Sequence, residues 1–249
     1  MTMVQEKQEF DRWPEGTWIL ELRGEESELR YVCDLLGLSP LRVVEVQGRF
    51  YLDAPELRNC TEEQDVFAVA SRSLETLLGF LALQDLAFEI TQGCLARTVT
   101  GKPPTQYIRP SSVVSTARVG IPTVIGGIPV RPTPRQLQAS KWLVLAEGRS
   151  RVKMALRILS RADLDWYDLH KLVELVQLES GSPAKHGWIA SYDLKRLTQT
   201  ANSADAAGDQ ARHAPRFEAP KKPMQILDAQ KLVVELVQKW LESLSTNYL

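Results

Sequence analysis

Residues 120–134 read GIPTVIGGIPVRPTP: four prolines, three glycines, no acid and one base. Proline removes backbone donors and glycine adds conformational freedom, so no continuous helix or strand is expected here. The stretch reads as a linker in preference to a loop that closes over a ligand. It divides the chain into residues 1–130 and 131–249. The expected fold class is therefore α+β, a mixed α/β domain followed by an all-α helical bundle.

Upstream of the linker, the segment Thr17 to Leu22 alternates as a strand does, and Gly24 ends it. Leu29, Val32, Cys33 and Leu36 then recur at helical spacing before Gly37. Leu41 to Asp53 reads as a hairpin turning at Gln47-Gly48. Thr61 and Gln64 have the spacing of a capping box ahead of a long helix, about Glu62 to Leu83. Two further strands are expected near Ala87 to Thr98 and Tyr107 to Val119.

Downstream, Thr133-Pro134 reads as an N-cap followed by proline at the first helical position. Apolar stripes then predict helices ending before Gly148, over Ser150 to Ser160, Asp163 to Leu178, Ser191 to Thr200 and Leu227 to Leu244. Antiparallel packing is the simplest way to bury these faces, and faces left exposed point to a homodimer through the helical half.

The chain has 249 residues, 30 basic and 31 acidic side chains and a formal net charge of -1. That balance gives no whole-protein electrostatic grip on nucleic acid. The polar residues 1–13 lack a secretory apolar core, and no apolar run approaches a membrane span. Cys33, Cys60 and Cys94 are odd in number and lack C-x-x-C spacing, as expected for reduced thiols in a cytoplasmic protein. The three histidines and three cysteines are too dispersed for a metal site, and no motif calls for a cofactor.

Chemistry concentrates in residues 200–223, TANSADAAGDQARHAPRFEAPKKP, between two strong helices. Arg212 and His213 have the means to hold a phosphate or pass a proton, with Arg196 as a second cation and Asn202 and Asp209 as polar ligands. The reading preferred on the sequence is that Asn202 caps a helix while Arg212 and His213 pair with Asp205 or Asp209 to pin a long connection. Arg149, Lys153, Arg157 and Arg161 step by four along one helical face. They form a basic stripe able to contact phosphates, or an ordinary solvated face answered by Asp163, Asp165 and Asp168.

The blocks Thr200-Ala201-Asn202, Gly208-Asp209, Ala211-Arg212-His213, Pro220 to Met224 and Lys239-Trp240-Leu241 resemble a C-terminal block in a group of bacterial proteins of unassigned activity. The helical half is also similar, more distantly, to HEPN domains: helical bundles, often dimeric, many of which cut RNA without metal in toxin and phage-defence systems. Active members carry Arg, four to six residues, then His, and that motif is absent here. Positions 206–208, where arginine would serve His213, hold Ala206, Ala207 and Gly208.

The sequence thus favours a bacterial binding or regulatory protein with a polar site on the loop between the last two helices. It would engage a protein or RNA. The alternatives are a metal-independent ribonuclease using His213, Arg212 and Arg196, and a scaffold with no ligand.

Overall fold

The computed structural model describes residues 13–61, 63–86, 88–99, 102–107, 132–211 and 218–246. The chain divides into two compact units, Met1–Gly148 and Arg149–Leu249. The first holds an antiparallel sheet with helices and the second is helical, the expected α+β class.

In the first unit the elements run β1 (Trp18–Arg23), α1 (Glu26–Leu36), β2 (Arg42–Val46), β3 (Arg49–Asp53), α2 (Pro55–Arg58), α3 (Glu63–Leu83), β4 (Thr91–Val99), β5 (Lys102–Tyr107) and α4 (Pro134–Gly148). The strand order is β2-β3-β1-β4-β5, all neighbours antiparallel. The path β1-α1-β2 skips over β3, and β3-α3-β4 skips over β1, giving the split β-α-β arrangement.

Alternation sorts the side chains. Leu20, Leu22, Phe50, Leu52 and Leu95 share one face, while Ile19, Val46, Tyr51 and Ala96 form a second buried cluster with Trp13. Residues 65–83 of α3 are long and apolar enough to cross a membrane by composition, but 61% of that window is buried, which marks it as core.

The β2–β3 turn is the two-residue kind anticipated at Gln47-Gly48, with φ of 53° and 72°. Positive φ at both positions matches the twist of the flanking strands, and glycine takes it without strain. The Gln64 side chain, on which the expected capping box with Thr61 depends, lies outside the described part of the structure. So does most of the strand expected over Tyr107 to Val119; β5 lies just before it. β5 contains Pro103 and Pro104; the outer side of an edge strand needs no donor, and the register with β4 is irregular between Arg97 and Val99, opposite this pair, which is where proline is tolerated. A capping box does occur at α4, where the Gln136 N–H donates to Thr133 Oγ1 at 3.2 Å and the Thr133 N–H to Gln136 Oε1 at 2.7 Å.

The division between units falls after Gly148, whereas the sequence suggested residue 130. The reason is α4. Gln136 Nε2 donates to the Asp34 carbonyl at 2.8 Å and Ser140 Oγ to the Leu38 carbonyl at 3.1 Å. These carbonyls belong to the end of α1 and the residues after it, where backbone acceptors lack helical partners. Arg135 adds a bond to the Gln84 carbonyl and lies over the Tyr31 ring.

The second unit comprises α5 (Ser150–Leu159), α6 (Trp166–Ser180), α7 (Ser191–Asn202), α8 (Ala204–Ala207), a 3-10 turn (Gly208–Gln210) and α9 (Ile226–Thr246). α6 packs against α5, α7 and α9. It buries Leu169, Leu172, Val173, Leu175 and Val176 among Val233, Leu236, Val237, Trp240 and Leu241 of α9 and their neighbours. Asp165 caps α6, accepting from the Asp168 N–H at 2.8 Å.

Candidate functional site

Two regions compete for the role of site. The first is the segment after α7. Asn202 is the last residue of α7, so what reads as one loop starts with helix and continues through α8 and the 3-10 turn. Arg196 is turned back onto the chain: its Nε donates to the Lys222 carbonyl at 2.7 Å and its Nη2 to the Pro223 carbonyl at 3.0 Å. Fully buried Thr200 accepts from the Met224 N–H at 3.1 Å and donates to the Arg196 carbonyl at 2.8 Å. Together they fasten residues 222–224 to α7. Asn202 Oδ1 and Ser203 Oγ are shut from solvent and have no hydrogen-bond partner among the described residues. Asp209 is exposed. Arg212 and His213 lie outside the described residues, so the structure brings Arg196 and Asn202 into one region and says nothing of the other pair.

The basic stripe is divided by its partners. Arg149 and Arg151 both bond Glu179, Arg151 at 2.7 Å, and Arg161 bonds Asp168. Hydrogen bonds from Arg151 and Arg149 hold the Glu179 carboxyl below its ordinary pKa, against the effect of its burial. Burial pushes Asp168 the other way, opposed by Arg161. Lys153 and Arg157 are half-buried on α5. Among the described residues no three His, Cys, Asp or Glu side chains are placed to share a metal ion.

The second region is a groove of about 650 Å³ in the first unit, lined by Trp13, Cys33, Asp34, Gly37, Arg42, Val43, Val44 and Glu45. It follows the outer edge of β2, which is an end strand of the sheet. Cys33, Asp34 and Gly37 come from α1 and its end on one side of the sheet. On the other, Val44 packs with the Trp13 cluster. The groove therefore reaches both faces of the strand it borders.

Its charges are arranged unequally. Arg42 forks onto Asp53 Oδ2 through Nε and Nη2, both at 2.9 Å, and Arg58 Nε meets Asp53 Oδ1 at 3.1 Å. The Asp53 carboxylate is completely buried, so Arg42 enters the groove already neutralised. Glu45 pairs with Arg30, which also holds Glu26, while Asp34 is exposed.

Burial pushes the Cys33 thiol up to about 12, with the Glu45 and Asp34 carboxylates acting in the same direction. It stays protonated near neutrality. Only the thiolate is a strong nucleophile, so this cysteine does not equip the groove for covalent chemistry.

Comparison with family models, curated proteins and solved structures yields no match.

The sequence read Cys33 as a reduced thiol and Gly37 as a helix stop, and marked none of the lining residues as a site. Trp13 follows a charged stretch, and Val43 to Glu45 look like any half-buried strand. What makes them a groove is the terminal position of β2 in the sheet. That position has no local signature in the chain.

Proposed function

We propose that this is a binding or regulatory protein of the bacterial cytoplasm whose first unit engages another protein at the groove beside β2. The observation that carries the reading is a groove running along an end strand and opening to both faces of it, with a protonated thiol and a neutralised arginine in its walls. Such a site offers shape and hydrogen bonds rather than an activated nucleophile or a general base. In the second unit, Arg196 and Thr200 are occupied in fastening residues 222–224, which favours an anchoring role for that region over a catalytic one.

A photo-crosslinking amino acid at Gly37 tests this. A side chain is tolerated there, since an added Cβ meets nothing nearer than 3.6 Å. In bacterial cells, crosslinking from Gly37 should trap a discrete protein, while the same group at exposed Tyr192 should not. No adduct at Gly37, or the same adducts from both positions, would refute the reading. Labelled RNA incubated in EDTA should remain intact; cleavage abolished by His213→Ala would move the assignment to a ribonuclease.

A further inference from the structure

The groove follows a strand edge that no other strand pairs among the described residues. In a two-residue hairpin the residues flanking the turn exchange both backbone hydrogen bonds, and bonding then alternates along the ladder. Here the flanking pair is Val46 and Arg49, followed by Val44 with Tyr51 and Arg42 with Asp53. Val43 and Glu45 consequently turn their N–H and C=O groups to the outer edge of β2. Among the described residues no backbone group bonds them from that side. The Glu45 N–H faces the Cys33 thiol, a weak acceptor.

Val43 is nonetheless only 3% exposed. Backbone groups that are buried and unbonded are rare because desolvation without a partner is costly. Trp13, another wall of the groove, likewise keeps an indole N–H with no acceptor among the described residues although it is 5% exposed.

Resting on the binding function proposed above, we infer that the groove takes an extended segment of another protein, laid along β2 as a sixth strand. The segment's backbone would bond Val43 and the Glu45 carbonyl, the usual source of affinity in strand addition. Its side chains would point alternately to the two faces of the sheet. On the Trp13 and Val44 side they meet an apolar wall. On the α1 side they meet exposed Asp34 and, beside it, Glu45, which already shares Arg30, while the arginine of the groove is satisfied by buried Asp53. The matching chemistry is a β-branched apolar residue alternating with lysine or arginine.

The probe is a fluorescent peptide alternating valine and lysine, titrated onto the full chain and followed by polarisation. Saturable binding is expected, weakened about tenfold or more when alternate peptide nitrogens are methylated, since methylation removes donors and little else. Val43→Pro should weaken it similarly with the circular dichroism unchanged, because the Val43 N–H takes no part in the β2–β3 ladder. Should that variant fail to fold, Asp34→Lys at an exposed position serves instead. It should reverse the preference between the valine–lysine peptide and a valine–glutamate one.

Absence of binding, or binding indifferent to methylation, would overturn the inference. So would a dimer of the chain formed through β2 and broken by Val43→Pro, which would make a second copy the occupant. If crosslinks from Gly37 persist while the peptide fails, strand addition is wrong and protein binding at the groove survives. If both fail, the function proposed above falls with it.

Discussion

Replacing Asp53 with alanine should destabilise the first unit by roughly 3 kcal/mol, the lower end of what removal of one partner from a buried ion pair costs. The carboxylate has no solvent exposure and receives three nitrogens from two arginines. Arg42 and Arg58 are 38% and 36% exposed, so each recovers part of its hydration once the acid is gone, which keeps the loss from being larger. The damage should spread along a defined path. Arg42 opens β2, Arg58 lies at the end of α2, and Arg58 Nη2 also bonds the Pro40 carbonyl before β2. Loss of Asp53 therefore loosens the start of the strand that borders the groove. Urea unfolding followed by near-ultraviolet circular dichroism of the sheet tryptophans would measure it. A midpoint unchanged from wild type would show that the two arginines contribute nothing through this acid.

Trp240→Ala should have a comparable or larger effect on the second unit, about 3–5 kcal/mol for a fully buried tryptophan. Trp240 has no exposed surface, and its Nε1–H donates to Ser180 Oγ at 3.1 Å, joining α9 to the end of α6. Trp240→Phe keeps most of the volume and discards the hydrogen bond. It should cost clearly less, and the gap between the two variants separates packing from the polar contact. Equal losses would mean the hydrogen bond, not the cavity, dominates.

Much of this architecture was legible in the chain because its signals are local. Leu29, Val32 and Leu36, with Gly37 behind them, fix α1 by their spacing, and Gln47-Gly48 fixes the hairpin. α9 announces itself through Val233, Leu236, Val237, Trp240 and Leu241. What failed to show depends on partners far away in sequence. Periodicity says that α4 buries a face but not that Gln136 and Ser140 will bond Asp34 and Leu38, so the sequence alone does not show that α4 groups with the first unit. Pro103 and Pro104 argue against a strand until β5 is known to lie at the sheet's edge.

The same limit governs the site. Polar residues draw attention to the stretch 200–223, where Arg196 proves to be spent on carbonyls. The groove relies on peptide groups of Val43 and Glu45 that no other strand bonds among the described residues. Every residue has such groups, and the sequence carries no mark of which ones the ladder will leave over.

Hydrogen exchange of single amides, read by NMR on the full chain, tests the open edge of β2 most directly. The Val43 amide should exchange about tenfold or more faster than Val44, whose N–H lies inside the β2–β3 ladder. Adding the valine–lysine peptide should slow it. Equal protection of Val43 and Val44 in the unliganded protein would mean that the edge is already bonded and that no strand is added there.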